Sequence, residues 1–207
     1  ALQAGEVDMV EQPSFEQYES LKKTAGVKVD DFSPAGYQFV MRFNHLHAPF
    51  NNVKIRQAAM LAVGQQAFIN TQVGIPDLVR ACKSIYPCGT PLADENTSYF
   101  TGVANPAKAR ELLKEAGYDG TPIVMMRPTD LAAITKLPLV AKQQLEAAGF
   151  KVDLQQMDWA SLVARRAKKE LPTQGGWNMF FTTWTAQDIG SPLTSAMLNA
   201  KGATGWF

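Results

Sequence analysis

Apolar side chains recur along this chain in two rhythms, and the switches between them mark out its elements. Tyr37-Gln38-Phe39-Val40-Met41-Arg42-Phe43 alternates with Tyr37, Phe39, Met41 and Phe43 on one face, which predicts a half-buried strand. The period then lengthens. Ile55, Ala58, Ala59 and Ala62 fall at helical spacing behind Asn52, a capping residue, and Gly64 stops the pattern. Gln65 to Val73 predicts a second helix, ended by Gly74. Asn105-Pro106 pairs a cap with a first-turn proline, and Ala109, Leu112, Leu113 and Ala116 form the stripe up to Gly117. Pro122 to Met126 predicts a strand. Asp130 to Gly149 predicts a helix in its second part, with Pro138 as a kink or a new first turn. Lys151 to Met157 predicts a strand with Val152, Leu154 and Gln156 on one face. Trp159 to Lys169 predicts a helix, and Trp177 to Trp184 an apolar strand. Shorter signals predict strands at Val7–Val10 and Val27–Val29, a helix from Pro13-Ser14 to Gly26 capped by Ser14, and a last helix from Ser191-Pro192. From residue 105 onward helix and strand alternate, so the fold class is α/β, a parallel or mixed sheet with helices on its faces.

Composition narrows the function classes. With 46% hydrophobic residues and a net charge of +1, the chain is neither disordered nor a dedicated nucleic-acid binder. Its 207 residues are enough for a core without metal or disulfide staples, and no stretch is long and apolar enough for a transmembrane helix. Residue 1 is Ala, and the chain stops at the apolar Gly205-Trp206-Phe207, so the expectation is a piece of a longer protein. Cys82 and Cys88 are the only cysteines. Their spacing does not fit a CxxC redox or zinc motif, which leaves an incidental pair or a small disulfide-closed loop. Pro87 bends the chain between them, and the irregular stretch from Pro76 to Gly102 needs a tether or a function. Both favour the bridge, which implies an oxidising compartment.

In open α/β sheets ligands bind beyond the C-terminal ends of the strands. That rim collects Arg127, Thr129 and Asp130, then Asp158 and Trp159, then Trp184, Gln187 and Asp188. The competing reading makes the tryptophans core and Asp130 and Asp158 helix caps. Arg166 is more specific. It shares a helical face with Trp159, Leu162 and Val163, so it points inward and calls for a carboxylate, carbonyls or a ligand anion, whereas Arg165, Lys168 and Lys169 read as a solvated face. Snorkelling at the helix end is the alternative. His45 and His47, two apart after a strand, suggest a metal pair without a third ligand. The sequence holds no GxGxxG, P-loop or GxSxG motif, and nothing in it calls for a cofactor.

These segments together resemble the family 5 extracytoplasmic solute-binding proteins of ABC transporters, the oligopeptide, dipeptide and nickel-chelate group. Leu2-Gln3-Ala4-Gly5-Glu6-Val7-Asp8 is similar to the strand opening that family's second lobe. Phe43-Asn44 followed by Pro49-Phe50-Asn51-Asn52-Val53-Lys54-Ile55-Arg56-Gln57-Ala58 resembles its most specific block, and 105–118 and 145–152 resemble later elements. The resemblance implies a type II periplasmic-binding-protein lobe, with residues 1–207 as the second lobe and the first lobe absent. It implies a periplasmic or extracytoplasmic module, not an enzyme, that captures a peptide or similar solute between two lobes and delivers it to a membrane permease. It also implies ligand roles for Trp159 and Arg166, and for the segment Trp184-Thr185-Ala186-Gln187-Asp188. Here Gln187 stands where the family has an Asp that takes a peptide's amino group, and Asp188 comes one later, so solutes other than peptides stay open. Gly64 likewise stands where the family has a capping Asp. The rival from another class is a secreted metal-dependent hydrolase using His45 and His47.

Overall fold

The computed structural model describes residues 1–193, 195–198, 201–202, 205 and 207. Strands β1 (Tyr37–Phe43), β2 (Ile123–Pro128), β3 (Val152–Met157) and β4 (Met179–Thr185) form one sheet in the order β1-β4-β2-β3. β2 runs parallel to β3 and β4, while β1 is antiparallel to β4 over its whole length, from Tyr37 opposite Thr185 to Phe43 opposite Met179. The predicted mixed α/β sheet is thus present. Helices α1 (Tyr18–Lys22), α2 (Val53–Ala62), α3 (Gln65–Gln72), α4 (Pro106–Glu115), α5 (Leu137–Ala147) and α6 (Trp159–Arg166) complete the described elements.

Alternation along the strands sends side chains to two cores. Ile123, Met125, Met179 and Phe181 join Phe50, Ile55, Ala58, Ala59, Ala109, Leu113 and Leu145 under helices α2, α4 and α5. The opposite face carries Met126 and Phe180, buried with Leu162 of α6 and Trp177. Trp159 packs against both clusters at the sheet's edge. The predicted stripes of α2 and α4 are the buried ones, and their caps form as expected. Asn52 accepts the Lys54 N–H at 2.9 Å and Asn105 the Lys108 N–H at 3.0 Å. Pro138 lies in the first turn of α5.

Two asparagines close the lower end of the sheet. Asn178, fully buried, accepts the Val124 N–H at 2.9 Å and donates to the Ala48 carbonyl at 2.9 Å. Asn44, also fully buried, donates to the Trp177 carbonyl at 2.9 Å and accepts the Leu46 N–H at 3.0 Å. Each side chain satisfies main-chain groups that no strand reaches. Asn178→Ala should therefore lower stability by about 2–4 kcal/mol, two lost hydrogen bonds and two buried orphans. Denaturant unfolding checks this, and a loss below about 1 kcal/mol contradicts it.

Gly64 has a packing reason. A Cβ there would lie 2.7 Å from the Ala104 nitrogen, so the aspartate of the resembled pattern cannot fit at this close crossing. The Gly64 N–H instead donates to the Gln144 carboxamide at 2.9 Å.

Several short elements differ from expectation. Val7–Val10 and Val27–Val29 are not strands, and neither β1 nor β3 extends the sheet to meet them. No residue of 1–32 is buried, and their apolar side chains join neither core cluster of the described residues. The helix from Ser14 is a 3-10 turn at Phe15–Gln17 followed by one turn and a half of α-helix ending at Lys22. α6 stops at Arg166 because the chain then folds tightly on itself: a Cβ on Gly176 would lie 1.9 Å from the Glu170 carbonyl oxygen. The helix expected from Ser191-Pro192 is turns over 191–193 and 195–198, and its remainder falls outside the described residues.

Candidate functional site

The C-terminal ends of β2, β3 and β4 share one rim, and α6 begins on it. Asp158 caps α6, accepting the Ser161 N–H at 2.9 Å and the Ser161 hydroxyl at 2.6 Å, which hold its carboxyl below the usual range. Asp130 accepts the Trp159 N–H at 2.8 Å. Both rim carboxylates thus face the positive end of α6 and act as caps. Arg127 is committed too, donating to the Thr135 carbonyl at 2.9 Å and to Gln156 at 2.7 Å. All three therefore have structural partners within the lobe.

Trp159 and Arg166 come together. They lie seven residues apart on α6, and the Arg166 guanidinium carbon sits 5.9 Å from the Trp159 ring centre. Arg166 is half-buried, and desolvation lowers its pKa from the ordinary arginine value while it stays charged. Its main-chain carbonyl accepts the Trp177 indole N–H at 3.1 Å. A cation laid on an indole and partly stripped of water is suited to an anionic group beside an aromatic wall.

Arg165 corrects the expectation of a solvated face. Its guanidinium donates to the Gly176 carbonyl at 2.7 Å and to Gln155 at 2.6 Å, and so ties α6 to the turn before β4. Helical phase separates the two arginines as expected, yet both are employed, one in packing and one beside Trp159.

Trp184 lies on the same sheet face as Phe180 and α6, four positions along β4, or about 13 Å of strand. Gln187 and Asp188 occupy the exposed turn that follows. The Gln187 carboxamide oxygen faces the Ser33 hydroxyl at 3.5 Å, and Asp188 accepts the Thr185 hydroxyl at 2.7 Å. These contacts shape the turn. Ser33 was invisible to periodicity because it sits in a loop 154 residues away from Gln187.

The bridge between Cys82 and Cys88 is formed, with Cα atoms 5.8 Å apart. The two histidines have different surroundings. His47 bonds the Lys169 carbonyl at 2.8 Å through Nε2, while His45 is pushed down to about 4 by burial and then by the charges of Arg56 and Arg42. Among the described residues no three His, Cys, Asp or Glu gather to hold a metal ion. His45 is neutral in the folded chain and gains its proton only towards pH 4, whereas unfolded chain gains it near 6.5. Its contribution to stability is complete above pH 6.5 and fades as pH falls from there to about 4. An NMR titration of the imidazole should give a midpoint well below 6.5, and one at 6.5 contradicts the placement.

Residues 1–206 match the family described as bacterial extracellular solute-binding proteins, family 5 middle region. A probable peptide ABC transporter periplasmic-binding protein of Sinorhizobium fredii is 33% identical over 208 residues, covering 100% of this chain and 39% of that one. The glutathione-binding protein GsiB of Salmonella typhimurium is 31% identical over 186 residues, covering 89% and 35%. The structure of the Helicobacter pylori periplasmic binding protein DppA with the peptide STSA shares the fold at a TM-score of 0.76 and 22% identity, over 96% of this chain and 36% of that one. The chain thus spans well under half the length of the relatives it matches.

Proposed function

The chain belongs to family 5 of the bacterial extracellular solute-binding proteins, and from that premise we propose that it forms one lobe of the solute-binding component of an ABC importer. The match over residues 1–206 carries this proposal. Coverage of only 39% and 35% of the two relatives supports a complete protein with a further lobe, here absent. The solute lies between the lobes, hinge closure traps it, and a membrane permease receives it. The setting is extracytoplasmic, in keeping with a formed disulfide. The chain works by binding and performs no catalysis.

Within this lobe Trp159 and Trp184 supply apolar walls, Arg166 the anion contact, and the turn bearing Gln187 and Asp188 the polar contacts. The relatives named for peptide and glutathione, together with the arginine beside Trp159, favour a short peptide or peptide-like anion. Native mass spectrometry of the full-length protein, purified without denaturation, tests this. A bound solute of a few hundred daltons that leaves on denaturation is expected. A stoichiometric metal ion with hydrolysis of added peptide points instead to the rival hydrolase of His45 and His47.

A further inference from the structure

The disulfide-closed loop lies beside the strand pair that carries Trp184. Gln38 of β1 stands directly opposite Trp184 of β4. Cross-strand partners share a sheet face, with Cβ atoms about 5 Å apart, so each restricts the other's rotamers. The Gln38 carboxamide nitrogen donates to the Ser84 carbonyl at 2.9 Å. Ser84 sits inside the ring closed by Cys82 and Cys88 and is itself buried. The carboxamide oxygen of Gln38 is shut off from solvent and takes no donor among the described residues. The bond to Ser84 is therefore what fixes this side chain's orientation.

Other contacts hold the loop in register. The Ser84 hydroxyl accepts the Tyr86 N–H at 3.2 Å and the Asp94 N–H at 3.0 Å. Gln65 of α3 donates to the Cys82 carbonyl, and Arg80 reaches the Cys88 carbonyl. A chain of constraint thus runs from the disulfide to Ser84, from Ser84 to Gln38, and from Gln38 to the indole across the ladder.

We infer that Gln38 is a positioning residue of the solute site, carrying the constraint of the Cys82–Cys88 loop to Trp184. The inference rests on the proposed role of Trp184 as a wall of that site. It gives the bridge a use beyond stability: removing the bridge loosens the indole wall and weakens binding, and it does so through Gln38.

A double-mutant cycle in the full-length protein tests this. The variants are Cys82→Ser with Cys88→Ser, Gln38→Leu, and all three substitutions together, each labelled with 5-fluorotryptophan. The Trp184 resonance is assigned by Trp184→Phe. The probes are glutathione, the dipeptide Met-Leu and the tetrapeptide STSA. Removing the bridge should shift or broaden the Trp184 fluorine resonance and weaken binding of the accepted probe by roughly three- to tenfold. Gln38→Leu should do the same. In the Gln38→Leu background, removing the bridge should add less than about twofold. An unmoved Trp184 resonance, or equal factors in both backgrounds, overturns the inference. If the unmodified protein binds none of the probes, the Trp184 resonance still decides this question, while the proposed solute site is what fails.

Discussion

The 207-residue chain should bind solute at least about a thousandfold more weakly than the full-length protein. Ligand pockets of this kind bury 70–90% or more of the ligand, and one open lobe leaves much of that surface in water. Losing several kcal/mol of contact corresponds to a factor on the order of a thousand or more. The lobe should nevertheless melt cooperatively, because its sheet is closed on both faces by buried clusters. Residues 1–32, with no buried member, should be cleaved first by protease. Calorimetric titration of both proteins with the same probe decides the matter. Equal affinity in a cooperatively folded lobe contradicts the two-lobe account.

The second large effect separates two neighbouring arginines. In the full-length protein, Arg166→Ala should weaken binding of an anionic probe by roughly ten- to a hundredfold, the worth of one charge-assisted contact of about 1.5–3 kcal/mol. Thermal stability should change little. Arg165→Ala should show the reverse, because its guanidinium holds the Gly176 carbonyl and Gln155. Its melting temperature should fall by several degrees, with affinity less affected. Parallel calorimetry and thermal melts read both quantities, and equal losses of affinity reject the assignment of Arg166.

The central elements were legible because each carries its own signal. β1 carries apolar residues at every second position from Tyr37 to Phe43, although Tyr37 and Phe39 are exposed, α4 begins with Asn-Pro, and α2 places Ile55, Ala58, Ala59 and Ala62 on its buried face. The N-terminal stretch was not, since Val7–Val10 and Val27–Val29 have strand composition but no strand to pair with. Strand propensity describes a side chain's fit to a half-buried surface, and here that surface is absent. At the rim, Asp130 and Asp158 could be read from the sequence as ligand groups or as helix caps, and the cap reading is the one their hydrogen bonds at the start of α6 bear out. Arg165 read as solvated because the turn that receives it, at Gly175 and Gly176, lies ten and eleven residues away with no periodic cue. Arg166 was legible because its position depends only on helical phase relative to Trp159. The contacts of Gln38 and Ser33 arise from strand register and loop packing, which become visible only once β1 and β4 are paired.

The most direct measurement is calorimetric titration of the full-length protein with glutathione, Met-Leu and STSA at neutral pH. Saturable one-site binding of at least one probe at micromolar affinity or tighter is the predicted result. Absence of binding by all three, in protein shown by native mass spectrometry to carry no resident solute, would contradict the account.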